Sequence, residues 1–174
     1  STEEKKNSQI SLDSEILSPS TEKEVSEIVR EIYSKQLPIE ITGTGTKKGF
    51  GYNLQTARKL TLSKLSGIID YKKEELYIKV KAGTPIQDIE KILDENNQEL
   101  AFEPIDFGYM INGQTNKGTI GGYVACNFAG SRRFKVGSVR DHILGFKGVN
   151  GKGDIIKSGA VSYTHLRAHE TFAN

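Results

Sequence analysis

Gly118-Thr119-Ile120-Gly121-Gly122-Tyr123-Val124-Ala125-Cys126-Asn127, followed by Gly130 and the pair Arg132-Arg133, is the stretch on which the reading of this chain turns. Its small residues stand where a helix begins. Glycine costs roughly 1 kcal/mol relative to alanine inside a helix, so two adjacent ones need a reason. One reason is a ligand: bare backbone at a helix N-terminus can meet an anion directly, phosphate above all. The other is the protein itself, since glycine lets a helix lie close against a sheet. The stretch alone leaves both open.

Working outward, 174 residues suffice for one good core or for two small lobes sharing a ligand. With 36% hydrophobic and 26% charged residues the composition is globular. No apolar run approaches the roughly 20 residues of a membrane span, and no secretory pattern opens the chain. A net charge of +2 is too small to argue for nucleic acid, and no such partner is expected. A single cysteine excludes an internal disulfide and fits a reducing compartment. The chain opens on Ser1, which reads as the edge of a fragment.

Residues 1–15 are polar and aperiodic and are expected to be a flexible segment. Thr21 and Glu24 have the spacing of a capping box, and Val25, Ile28, Val29 and Ile32 follow on one helical face. Pro38 ends that helix. Ile39–Thr42 then reads as a strand entering the glycine-rich loop Thr42-Gly43-Thr44-Gly45-Thr46-Lys47. Strand-like pieces recur at 59–61 and 68–71, and Leu76, Ile78, Val80 and Ala82 alternate with polar residues. Gly83-Thr84-Pro85 predicts a second helix with Thr84 as its N-cap and Ile86, Ile89 and Leu93 as its stripe. Residues 103–118 read as loop, and Ile143–Val149 with Asp154–Ile156 as a hairpin around Asn150–Gly153. The first hundred residues are βαβ-like and the rest more antiparallel.

The loop Thr42–Lys47 is a candidate anion nest, consecutive amides curling around a diphosphate. It is not a nicotinamide-type fingerprint, because Lys48 stands where a third glycine is needed, and it is not a Walker loop. A bare turn is the alternative. Arg132, Arg133, Lys135 and Arg140 have only Phe134 interleaved, which suits counter-charge or solvated surface better than base stacking. Asp141 beside Arg140 can be a surface ion pair. Cys126 reads as a small buried residue, and Phe107, Tyr109 and Tyr123 as packing. His165, His169 and Glu170 lack the order of a zinc motif. No metal site and no catalytic nucleophile–base pair is expected.

Taken together, the two glycine-rich stretches, Lys81-Ala82-Gly83-Thr84-Pro85, Phe102-Glu103-Pro104 and Gly137–Gly145 with Val149-Asn150-Gly151 resemble the PCMH-type FAD-binding domain of the vanillyl-alcohol-oxidase superfamily. Within it the resemblance narrows to the E-subunit family of bacterial glycolate oxidases, carried by Ala82–Pro85, Phe102–Pro104, Val124–Cys126 and Arg132-Arg133, over about residues 16–159. The resemblance implies an α+β fold of two lobes, 16–103 and 104–160, with FAD between them. It implies that Thr42, Gly43, Thr44, Gly45, Thr46 and Lys47 meet the cofactor, with Gly118, Thr119, Ile120, Gly121, Gly122, Ala125 and Gly130 from the second stretch. Gly137, Asp141 and Ile143 would hold the adenosine end. Lys47-Lys48 stand where relatives place a flavin-linking histidine, so the FAD is expected to be non-covalent.

The activity implied is that of a flavin-dependent oxidoreductase complex oxidising glycolate to glyoxylate, with a sister flavoprotein subunit and an iron–sulfur subunit as partners. That places it in the cytoplasm or, through those partners, at the inner membrane surface. A non-catalytic scaffold subunit with weak or no flavin binding is the alternative, and a binder of another anionic nucleotide a third reading. Residues 161–174 resemble translated adapter sequence and are expected to be a non-native tail that truncates the second lobe.

Overall fold

A computed structural model of the chain describes residues 12, 15–44, 58–106, 109, 110, 113–127 and 137–168, with side chains through 159. Helix α1 (Glu22–Lys35) begins where the capping spacing put it: Thr21 Oγ1 accepts the Glu24 amide at 3.2 Å. The Glu24 carboxylate reaches back one residue further than expected, to the Ser20 amide at 2.7 Å. That bond, with the Ser20 hydroxyl, holds its carboxyl below the usual range. The helix stops at Gln36, which takes a left-handed conformation (φ 53°) ahead of Pro38. Its buried face, Ile28 and Ile32, packs with Leu12, Leu17 and Leu60. Leu17 and Leu60 come from a parallel sheet, β1 (Ile16–Leu17), β3 (Lys59–Thr61) and β2 (Glu40–Thr42) in that order across it.

The second sheet is antiparallel. It holds β4 (Ile68–Lys72), β5 (Tyr77–Val80), β6 (Gln98–Leu100), β7 (Ile143–Val149) and β8 (Ile155–Ala168). The spatial order is β4-β5-β8-β6, with β7 on the first part of β8. Helices α2 (Ile86–Asp94) and α3 (Ile120–Cys126) cover it. Ile78, Ile86, Ile89, Leu93, Leu100, Phe102, Ile120, Tyr123 and Val139 form their common core. At roughly 1.5–3 kcal/mol per fully buried large apolar side chain, that cluster is the main source of stability in this half.

Strand pairing runs across the expected boundary at 103/104: residues 68–102 share sheet and core with 120–168, because β5 and β6 pair with β8 far along the chain. Such non-local pairing leaves no trace in local periodicity. The backbone of 161–168, expected as a non-native tail, continues β8 and pairs Tyr77 with His165 and Leu100 with Leu166.

The start of α2 is a correction. Pro85 is the N-cap, and Thr84 caps nothing. Thr84 is buried; its hydroxyl donates to the Lys81 carbonyl at 2.6 Å and accepts the Gly67 amide at 3.0 Å, tying two loops together.

Candidate functional site: a crevice between the two sheets

Strand β2 delivers Thr42 and Gly43 to the start of α3. The approach is close enough that a Cβ on Gly43 would lie 2.5 Å from Thr119 Oγ1. Thr119 is the extended N-cap of α3, and its hydroxyl accepts the Gly122 amide at 3.3 Å. The two glycine-rich stretches, some eighty residues apart in sequence, therefore touch.

What holds α3 in place is backbone. The Ile86 amide donates to the Gly118 carbonyl at 2.9 Å, and the Ile120 amide to the Thr84 carbonyl at 3.0 Å. The Gly121 amide donates to the Ala82 carbonyl at 2.9 Å. A Cβ on Gly121 would sit 2.8 Å from that same oxygen, so this glycine is required by close packing of helix on strand end. The amides of Ile120, Gly121 and Gly122 are thus bonded within the protein. This corner therefore offers a surface shaped by small residues, with the amides of Ile120, Gly121 and Gly122 engaged inside the protein.

Above it lies a chamber of about 370 Å³. Thr42, Gly43, Thr119, Ile120, Gly121, Gly122, Ala125 and Ile143, all expected at a cofactor site, line it together. Thr44, Gly118, Gly137 and Asp141 are described and do not line it. Gly45, Thr46, Lys47 and Gly130 lie outside the described residues. Asp141 serves the backbone instead. Its carboxylate accepts the Ser138 amide at 2.7 Å and the Ser138 hydroxyl at 3.0 Å, closing the 3₁₀ turn that leads into β7. Those bonds hold its carboxyl below the usual range.

Sequence reasoning missed Ile41, Leu62, Val124, Gly145, Phe146 and Lys147 as lining residues. A signal existed for part of this set, since Ile143, Gly145 and Lys147 follow the two-residue period of one strand face. Leu62, Val80, Ala82 and Lys147 also line a second, outer chamber of about 530 Å³ between α1, β5 and the β7–β8 hairpin, so the two form one crevice. Both volumes fall in the range of small-molecule sites. The outer chamber is bordered by Lys79, Lys81, Lys147 and Lys157, with Glu22 its one acid among the described residues. A third concavity, beside α2, is lined by Glu90, Asp94, Glu99 and Glu103 against Lys91, a field that repels phosphate.

Other expectations resolve here too. Tyr123 is packing: fully buried, stacked near Phe102, its hydroxyl donates to the Ile105 carbonyl, and burial pushes its phenol far above the ordinary value. Tyr109 and Cys126 are exposed, contrary to the expectation of burial. The link before α3 is ordered by Asp106, which accepts the amides of Tyr109 and Asn116 at 2.9 Å each. Burial opposes ionisation of its carboxyl, but those amides and Lys117 outweigh it and lower the pKa. Among the described residues no cluster of His, Cys, Asp or Glu could hold a metal. Among them, too, no helix is long and apolar enough to cross a membrane.

Known proteins agree with this architecture. The chain is 35% identical over 133 residues to the glycolate oxidase subunit GlcE of Escherichia coli (strain K12), covering 76% of this chain and 36% of that protein. It is 29% identical over 138 residues to a D-lactate dehydrogenase of Anaerostipes hadrus, covering 79% and 27% respectively. The chain therefore spans about a third of these relatives. A solved structure of alkyldihydroxyacetonephosphate synthase superposes with a TM-score of 0.62 at 17% identity, over 88% of this chain and 31% of that one, a likeness of fold. The FAD binding domain family matches residues 14–159, which takes in the parallel sheet, both chambers' described walls and the antiparallel sheet as far as the first part of β8, and the chain belongs to that family.

Proposed function

We propose that this chain is the FAD-holding portion of a flavoprotein subunit in a glycolate oxidase-type complex that oxidises a 2-hydroxy acid, glycolate, to the 2-oxo acid. The observation that carries the proposal is the convergence of Thr42–Gly43 and Thr119–Gly122 on one chamber that opens into a lysine-bordered one. The fit to a flavin dinucleotide is physical. Ile41, Val124 and Phe146 stand exposed around the inner chamber, an apolar rim that a flat aromatic ring would cover. Lysines are placed for the anionic remainder.

FAD, when bound, supplies the acceptor for a hydride leaving the α-carbon of the substrate. The chain's own share is binding and orientation: apolar walls exclude water, and the bonds from Ala82 and Thr84 to α3 fix the chamber's shape before any ligand arrives. No described side chain is placed as acid or base toward a substrate, so that group belongs to the remainder of the protein or to a sister subunit, with electrons passing to an iron–sulfur partner. The cofactor is held without a covalent bond.

Titrating the purified chain with FAD and following flavin fluorescence tests this reading. Saturable binding at one site is expected, with all yellow colour leaving the protein on acid precipitation. A chain that binds no FAD would instead be a scaffold subunit, and a thermal shift with ADP or NAD but none with FAD would indicate a binder of another nucleotide.

A further inference from the structure

Lys147 sits at the waist of the crevice, lining both chambers. Among the described residues around the inner chamber it alone carries a charge. The other described walls there are backbone, two threonines and apolar side chains, Ile41, Leu62, Val80 and Phe146 among them, so no second charge competes with it for an anion. Its ammonium group pairs with the Glu22 carboxylate from the first turn of α1, and its side chain is only 31% exposed. The pairing matters because, among the described residues, Glu22 is the single acid on a border of four lysines. A cation held by one half-exposed carboxylate, beside amides of α3 that are already bonded, is the group that an incoming anion can recruit.

We propose that Lys147 is a cofactor-binding residue: it contacts a phosphate oxygen of the bound dinucleotide, and Glu22 holds it in place until the phosphate displaces that carboxylate. The assignment rests on the FAD reading above and sharpens it to one atom, Lys147 Nζ. Pre-placement by Glu22 lowers the ordering cost of a long side chain, and exchange of one anion for another keeps the cation paired throughout.

The test compares FAD with riboflavin, which shares the ring and lacks phosphate, as fluorescence probes of the full 174-residue chain. Lys147→Gln should weaken FAD about tenfold or more, the size of one charge-assisted hydrogen bond. It should leave riboflavin affinity unchanged and flatten the rise of Kd with salt. Lys147→Arg should restore most of the FAD affinity. Glu22→Gln should tighten FAD binding, because a competing anion is gone. Equal losses for FAD and riboflavin, or weakening by Glu22→Gln as large as by Lys147→Gln, would make the pair a structural clasp and overturn the assignment. Unchanged FAD affinity in Lys147→Gln would do the same while leaving the flavin reading intact. A wild-type chain that binds neither probe would remove the flavin reading and this assignment with it.

Discussion

The inner and outer chambers share four residues and are built by opposite means. The inner one takes its form from backbone: a strand end, a helix start and glycines pressed against Thr119 and Ala82. The outer one takes its character from long side chains on a sheet face, four of them lysine. Shape is thus set where backbone packs tightly, and charge is supplied by long side chains at the outer border. Substitutions in the two regions should separate cleanly, the first altering stability and affinity together and the second altering affinity alone.

The largest effect is expected from Tyr123→Ala, which empties the core beneath α3. A loss of about 3–5 kcal/mol should appear in denaturant unfolding, and FAD binding should fail with it. Gly121→Ala drives a methyl into the Ala82 carbonyl, so a loss of about 1–3 kcal/mol is expected, with weaker FAD binding in the folded fraction. A Gly121→Ala variant as stable as wild type would mean that the inner wall yields more easily than its contacts suggest. In the outer chamber, Lys81→Gln with Lys157→Gln should change stability by less than about 0.5 kcal/mol. The double variant should nevertheless weaken FAD at low salt and match wild type at high salt.

The smallest effect concerns acid. Asp141 has its pKa lowered by the Ser138 amide and hydroxyl, so its contribution is complete above the ordinary aspartate value and is lost as pH falls through the lowered one. Plotting the unfolding midpoint against pH for wild type and Asp141→Asn should give a shallower acid limb in the variant. Identical limbs would show that the turn before β7 does not depend on the ionised carboxylate.

Much of this was legible in the letters. Thr21, the Ile86/Ile89/Leu93 stripe and the Asn150–Gly153 turn announced their elements through capping, helical spacing and turn chemistry. The meeting of the two glycine stretches followed from the family resemblance. Thr84 misled because a threonine before proline looks the same whether it caps a helix or ties two loops. Only the hydroxyl's partners at Gly67 and Lys81 decide, and the pattern does not show them. Gly121 offered two explanations, and the carbonyl of Ala82 selected the steric one. The period it shares with Ile143 and Gly145 gave Lys147 a strand face but not its partner, because its position at the waist is created by Glu22 of α1 lying across from β7. The grouping of β4 to β6 with β8 was hidden for the same reason: sheet partners are chosen in three dimensions.

One seam between the halves has a mechanical consequence. Ser26 of α1 donates its hydroxyl to the Gly153 carbonyl at 2.5 Å in a buried contact, and Arg30 lies 3.6 Å from Asp154 beside it. The parallel and antiparallel sheets are therefore stitched along one margin, like pages bound at the spine. Breathing of the molecule is then expected to swing about that binding and to widen the crevice at the inner chamber, lined by Thr42 and Ala125, where the halves meet through the packing of Gly43 on Thr119. Amide exchange should then be slowest along the spine and fastest at the open edge, and a ligand that bridges the pages would slow the edge far more than the spine.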